Sequence, residues 1–203
     1  MNSVRKNMIP KVYGLVLAGG KSSRMGRDKG AIDYHGKSQR EYCYELLSMV
    51  CDAVFISCRK EQSENIEPQL NKLFDRVENL GPTGGILTAF EYEPAAAWLV
   101  VACDLPYLNE QALRVLLDAR DAEKVATAYK NPDDNAFPEP LIAIWEPKSR
   151  VLLETAVAQG KNCPRKVLIN ADCKLIAPPT PDVIANINTP DEYQRVVSTW
   201  SKS

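Results

Sequence analysis

Val12-Tyr13-Gly14-Leu15-Val16-Leu17-Ala18-Gly19-Gly20-Lys21-Ser22-Ser23-Arg24-Met25-Gly26 is the stretch on which the reading of this chain turns. Residues 12–17 form a short apolar run that stops at a pair of glycines. A run of that length bounded by glycine predicts a buried strand feeding a loop. Gly19 and Gly20 have no Cβ, so their backbone can approach a bound group closely. Successive N–H groups in such a turn make a concavity for an anion. Lys21, Arg24 and Lys29 add positive charge, the arginine as a two-pronged fork and the lysines as point charges. The glycine pair alone fits an ordinary strand-to-helix turn with solvated basic residues equally well. The loop matches neither G-x-x-x-x-G-K-[ST] nor G-x-G-x-x-G, so neither a P-loop nor a dinucleotide-binding loop is indicated.

Outward from this loop, strand and helix signals alternate. Helical spacing covers Glu41 to Val50, Ile86 to Tyr92, Glu110 to Ala119 with Asn109 as N-cap, and Pro147 to Gln159. A weaker, mostly polar helix is expected over Gln62 to Leu70. Strands are expected at Ala53–Ser57, Leu73–Val77, Trp98–Ala102, Lys124–Tyr129 and Leu141–Trp145. Short extended pieces follow at Leu175–Ala177 and Val183–Ile187. Thr189-Pro190-Asp191-Glu192 opens a last helix, with threonine as cap, proline at the first position and acids in the first turn. This alternation predicts an α/β fold of three layers, α/β/α, around a mostly parallel central sheet. One domain spanning 1–203 is expected.

The chain has 203 residues, 45% of them hydrophobic, and a formal net charge of −1. A duplex nucleic-acid binder carries a basic excess, so a polynucleotide is not the expected partner. Small anions remain possible ligands. Met1 to Lys11 lacks the apolar core of a signal peptide, and no apolar run approaches the ~18 residues of a membrane span. The six cysteines form no C-x-x-C pair. They read as reduced thiols of a cytoplasmic protein.

Three further pieces carry chemistry. Gly81-Pro82-Thr83-Gly84-Gly85 is expected to be a turn opening a helix, which fits either a ligand-facing row of N–H groups or a simple tight turn. Asp104 follows the most apolar strand, where parallel sheets put their ligands. A lone carboxylate there suits Mg²⁺ shared with phosphate oxygens, although a turn or cap aspartate explains the position too. Asn186 and Asn188 stand on alternate positions and would point the same way if extended, towards metal, phosphate or acceptor. His35, the only histidine, is expected to be exposed and structural in the turn Tyr34-His35-Gly36-Lys37. Asn131 to Pro140 reads as an exposed loop.

In this order, the string Leu17 to Lys29, the Gly81-Pro82 turn, Asp104 with Pro106, and Asn186-x-Asn188-Thr189-Pro190-Asp191-Glu192 resemble the molybdenum cofactor guanylyltransferase family. More broadly they resemble the Rossmann-like nucleotide-diphospho-sugar transferase fold. The resemblance implies that GMP passes from GTP to molybdopterin or molybdenum cofactor with release of pyrophosphate, assisted by Mg²⁺. It implies that Leu17, Ala18, Gly19, Gly20, Lys29, Asp75, Gly81 and Asp104 line the nucleotide, and that Arg24, Lys29 and Asp104 serve catalysis. Asp104 would hold the metal, Asn186 and Asn188 the acceptor, and Asp75, with Glu78 as its rival, the guanine. Proteins that deliver the cofactor precursor are plausible partners.

Gly19 in Leu-Ala-Gly-Gly looks like the guanylyl branch, since cytidylyl relatives more often carry alanine there. The chain departs from the pattern at Ser38-Gln39-Arg40, where proline and an apolar residue are usual. It departs again at Thr83-Gly84-Gly85 and in the acidic, proline-rich stretch from Asn131 to Leu141. Other readings are transfer of CMP to the same cofactor, a sugar- or polyol-phosphate acceptor, or a non-catalytic nucleotide-binding regulatory domain.

Overall fold

The computed structural model describes residues 9–18, 29–76, 79–132, 135–187 and 189–200. Among the described residues seven strands are present: β1 (Val12–Leu17), β2 (Ala53–Cys58), β3 (Lys72–Phe74), β4 (Ala97–Ala102), β5 (Ala126–Lys130), β6 (Pro138–Trp145) and β7 (Cys173–Ile176). Between and after them, in the same described residues, run the α-helices α1 (Gln39–Ser48), α2 (Pro82–Tyr92), α3 (Glu110–Asp118), α4 (Ser149–Ala158), α5 (Pro164–Ile169) and α6 (Pro190–Trp200).

The strands form one sheet in the order β3-β2-β1-β4-β6-β5-β7. β1 pairs in parallel with both β2 and β4, β2 with β3, and β5 with β7. β6 is the reversed strand, antiparallel to β4 and β5. The sheet is therefore mostly parallel, as the alternation predicted.

Alternate residues of each strand feed two cores, which gives the three layers. On one face Val16, Ile56, Leu99, Val101 and Ile144 pack with Cys43, Leu46 and Leu47 of α1 and Leu113 and Leu116 of α3. On the other, Leu15, Phe55, Trp98, Val100 and Trp145 pack with Ile86 and Phe90 of α2, Leu153 of α4 and Leu168 of α5. Trp98 and Trp145 lie opposite each other across β4 and β6 and are fully buried. Their indole N–H groups donate to the Glu93 carbonyl at 3.3 Å and the Pro140 carbonyl at 3.1 Å, so neither leaves a buried donor unmet. No helix among the described residues is long and apolar enough to cross a membrane.

Several local expectations are revised. Gln62 to Leu70 is not an α-helix; a 3₁₀ helix spans Lys60–Asn65 instead, and the strand that follows is Lys72–Phe74. Val183 to Ile187 is not extended throughout, since Pro181–Ile184 is a 3₁₀ turn. Thr83, Gly84 and Gly85 are not turn residues before a helix. α2 begins at Pro82, with Gly81 capping it at φ +56°, a conformation that glycine adopts without strain. β6 begins at Pro138, so the end of the expected loop is strand. The short helix α5 had no periodic signal long enough to reveal it.

Candidate active site

The chain order creates the site. From β1 the sheet grows outward through β2 and β3, and the chain then returns to β4 on the other side of β1. The carboxyl ends of β1 and β4 thus flank a topological switch point, the crevice where open α/β sheets hold ligands. Leu17 is in register with Ala102. The Cys103 N–H donates to the Leu17 carbonyl at 3.4 Å. The start of the glycine loop and the turn bearing Asp104 are therefore neighbours.

Ala18 is buried and tied on both sides. Its N–H donates to the Ser57 carbonyl at 2.9 Å, and its carbonyl accepts from Gln62 Nε2 at 3.1 Å. Gln62 Oε1 in turn accepts from the backbone N–H and Nε of Arg59, at 3.1 and 3.2 Å. The point where the chain leaves β1 is thus fixed by a side chain from the segment after β2. Lys29 begins a 3₁₀ turn, Lys29–Ala31. Gly19, Gly20, Arg24, Glu78, Asn188 and the Lys29 side chain lie outside the described residues.

Asp75 follows β3 on the same edge. Ser57 Oγ donates to its Oδ1 at 2.6 Å, and its own N–H donates to the Cys58 carbonyl at 3.0 Å. Burial pushes the Asp75 carboxyl above its ordinary range, opposed by the Ser57 hydrogen bond and the Arg59 charge. Gly85 of α2 lies against this pair. A Cβ there would come within 2.4 Å of Ser57 Oγ and 2.7 Å of Leu17 Cδ2. α2 can approach the sheet only because residue 85 lacks a side chain.

Beyond β4 the Asp104 turn is held by a row of donors. Ile187 N–H donates to the Asp104 carbonyl at 2.9 Å. Gln39 Nε2 donates to the Leu105 carbonyl at 3.1 Å, His35 Nε2 to the Pro106 carbonyl at 3.1 Å, and Tyr42 Oη to the Leu108 carbonyl at 3.0 Å. His35 stacks on Tyr42 with ring centroids 3.6 Å apart and planes 14° from parallel. It is half-buried against the candidate site, not an exposed turn residue. Desolvation lowers its pKa, against the Pro106 hydrogen bond, which raises it. Asn186 is half-buried and precedes Ile187, so it is carried to the Asp104 turn by that backbone bond.

Glu139, expected in an exposed loop, is buried in β6. β6 pairs Val101 with Ile142. Three residues further along each strand stand Asp104 and Glu139, at one edge of the sheet. Burial pushes the Glu139 carboxyl up. Arg165 of α5 offsets this from 2.9 Å, and the Asp104 charge adds to it. Sequence reading missed Ser57, Gln62, Gln39 and Glu139. The polar residues at 38–40 were a usable signal for Gln39, and a carboxylate between two prolines in a strand was a faint one for Glu139.

Chemically, the edge gathers backbone next to a glycine loop, a carboxylate after β4, a second carboxylate nearby and a buried carboxylate after β3. Among the described residues no group of three or more His, Cys, Asp or Glu side chains could hold a metal alone. That donor set fits a hard cation which keeps waters and shares the phosphate oxygens of its substrate through one carboxylate.

The model of the MobA-like NTP transferase domain matches residues 14–177. A molybdenum cofactor biosynthesis bifunctional protein of Synechocystis is 43% identical over 186 residues, which is 91% of this chain and 53% of that protein. The chain thus spans about half the length of that relative. A molybdenum cofactor guanylyltransferase of Shewanella frigidimarina is 26% identical, over 96% of this chain and 100% of its own. In shape the chain is similar to molybdopterin-guanine dinucleotide biosynthesis protein A from Archaeoglobus fulgidus. The TM-score is 0.76 at 24% identity, covering 94% of this chain and 100% of that one.

Proposed function

Because this chain belongs to the MobA-like NTP transferase family, we propose that it transfers GMP from GTP to molybdopterin or molybdenum cofactor and releases pyrophosphate. The observation that carries the reading is that Leu17, from which the chain enters the glycine loop, meets the turn bearing Asp104 at the switch point between β1 and β4. A phosphate oxygen of the acceptor attacks the α-phosphorus in line. The bond to the bridging oxygen of the β-phosphate breaks, and its electron pair leaves with pyrophosphate. Positioning and charge stabilisation are what a protein can contribute to such a transfer.

In this reading Leu17, Ala18, Gly19, Gly20 and Gly81 line the nucleotide, and Arg24 and Lys29 neutralise the triphosphate and the charge developing in the transition state. Asp75 accepts from N1–H and N2–H of guanine, a pair that a carboxylate matches. Asp104 would hold Mg²⁺, which would supply charge neutralisation for the phosphates. Asn186 and Asn188 meet the acceptor. Residues of about 12–107 then serve the nucleotide and about 108–203 the acceptor. We assign the protein to the cytoplasm, consistent with its six free cysteines, and proteins that hand over the acceptor are its expected partners.

Calorimetry with Mg²⁺ and each of GTP, CTP, ATP and UTP tests the nucleotide. GTP is expected to bind tightest, and a preference for CTP would overturn the guanylyl assignment. Pyrophosphate release with molybdopterin then tests the acceptor. Asp104→Ala is expected to keep the parent's melting temperature and lose nearly all turnover. Undiminished turnover would remove Asp104 from the mechanism.

A further inference from the structure

Gln39 is fully buried at the first position of α1, and only one end of its amide is used. Nε2 donates to the Leu105 carbonyl at 3.1 Å and lies 3.6 Å from Cys43 Sγ. Oε1 is buried and has no hydrogen-bond partner among the described residues. A buried acceptor left unmet is a standing cost to folding. An apolar side chain of similar size would pack at this position without that cost. A polar group kept at such a place needs a role outside stability.

Its location supplies one. α1 runs back against β1 and β2, so its first turn stands at the sheet edge where Asp104 lies. Gln39 and Cys43, one helical turn apart, face the two ends of the same segment. Cys43 Sγ approaches the Ala102 carbonyl at 3.9 Å, before Cys103-Asp104, and Gln39 holds the Leu105 carbonyl just after them. Burial pushes the Cys43 thiol up to about 12, so it stays a neutral, weak donor. The amide is the stronger of the two contacts. With Ile187 holding the Asp104 carbonyl itself, the peptide unit after Asp104 is fixed, and Cys43 and Gln39 tie the units at 102–103 and 105–106, the next ones out on each side.

We propose that Gln39 is a positioning residue that sets the Asp104 carboxylate for its divalent cation, retained for that purpose at the expense of stability. This rests on the reading of Asp104 as the metal-holding carboxylate. It assigns Gln39 no contact with substrate or ion.

The test compares Gln39→Met and Gln39→Leu with the parent in the full chain. Three quantities are read: melting temperature, Mn²⁺ binding followed by electron paramagnetic resonance with a non-reacting α,β-methylene analogue of GTP, and the Mg²⁺ dependence of turnover. Both variants should melt at or above the parent's temperature. Both should bind Mn²⁺ at least tenfold more weakly, and need correspondingly more Mg²⁺ for half-maximal turnover. Saturating Mg²⁺ should restore most of kcat. Unchanged Mn²⁺ affinity and Mg²⁺ requirement would overturn the proposal. So would a metal defect accompanied by a lowered melting temperature, which is what a merely structural glutamine gives. Asp104→Ala separates the two levels of the argument. If it binds Mn²⁺ as the parent does, the reading of Asp104 fails and the role of Gln39 with it. If it does not bind, and the Gln39 variants bind normally, only the role of Gln39 falls.

Discussion

The backbone N–H of Ile187 donates to the carbonyl oxygen of Asp104 at 2.9 Å, joining the turn after β4 to a segment 83 residues later in the chain. This bond ties the backbone that carries Asn186 to the Asp104 turn. Ile187→Pro deletes the donor. The lost bond costs about 1 kcal/mol, or roughly 2–4 °C of melting in a chain of this size, and loss of the buried isoleucine side chain adds to that. On the proposed role of Asp104, turnover is expected to fall by more than tenfold. Steady-state kinetics beside thermal melting check the contrast. A fall in kcat no larger than the stability loss explains would refute it.

Gly85→Ala reverses the usual rule for helices. Alanine ordinarily stabilises a helix interior by about 1 kcal/mol over glycine. Here the added methyl would meet Ser57 Oγ at 2.4 Å and Leu17 Cδ2 at 2.7 Å. Crowding of this kind costs roughly 1–3 kcal/mol, so the variant is expected to be less stable than the parent in urea denaturation. Because Ser57 is the partner of Asp75, discrimination between GTP and ITP, which lacks the 2-amino group, should fall as well.

Asp75→Asn gives a pH signature. Burial raises the folded-state pKa of Asp75 above the unfolded value. For such a group the favourable contribution is present below the unfolded pKa and is lost as pH rises through the folded one. The ionised carboxylate is therefore a burden on the unliganded protein at neutral pH. The asparagine variant should melt higher than the parent at pH 7, and the difference should close as pH falls through the carboxylate range. A constant difference across that range would mean that desolvation of Asp75 is not its origin.

Away from the site, Arg120 and Glu146 form a two-pronged pair, with Nε to Oε1 at 2.7 Å and Nη2 to Oε2 at 2.9 Å. Glu146 is fully buried. Arg120 Nη1 also donates to the Pro10 carbonyl at 2.8 Å, pinning the chain before β1. Removing the arginine leaves a buried charge unmatched, at about 3–5 kcal/mol. Arg120→Met should show that loss in urea denaturation, whereas Arg120→Met with Glu146→Leu should recover much of it.

The sequence by itself determined the α/β class, the strand Val12–Leu17 entering a glycine loop, the capped start of α3 at Asn109 and the place of Asp104 at a strand end. These are local facts: hydrophobic period, capping residues and turn chemistry act over a few neighbours, and one apolar strand followed by Asp-Leu-Pro reads the same in isolation as in the fold. Only the tertiary structure decided that β6 runs against its neighbours, because periodicity reports which faces are buried and carries no strand direction. Glu139 looked like loop because prolines and acids surround it, yet the sheet edge and Arg165 make its burial tolerable. Gln39 meets Leu105 across 66 positions and Ser57 meets Asp75 across 18, so no local pattern could announce either contact. His35 looked exposed for the same reason: its partner is a carbonyl 71 residues away. The candidate site residues stood out where the signal is local. Their supports did not, because a support is defined by what the fold brings against it.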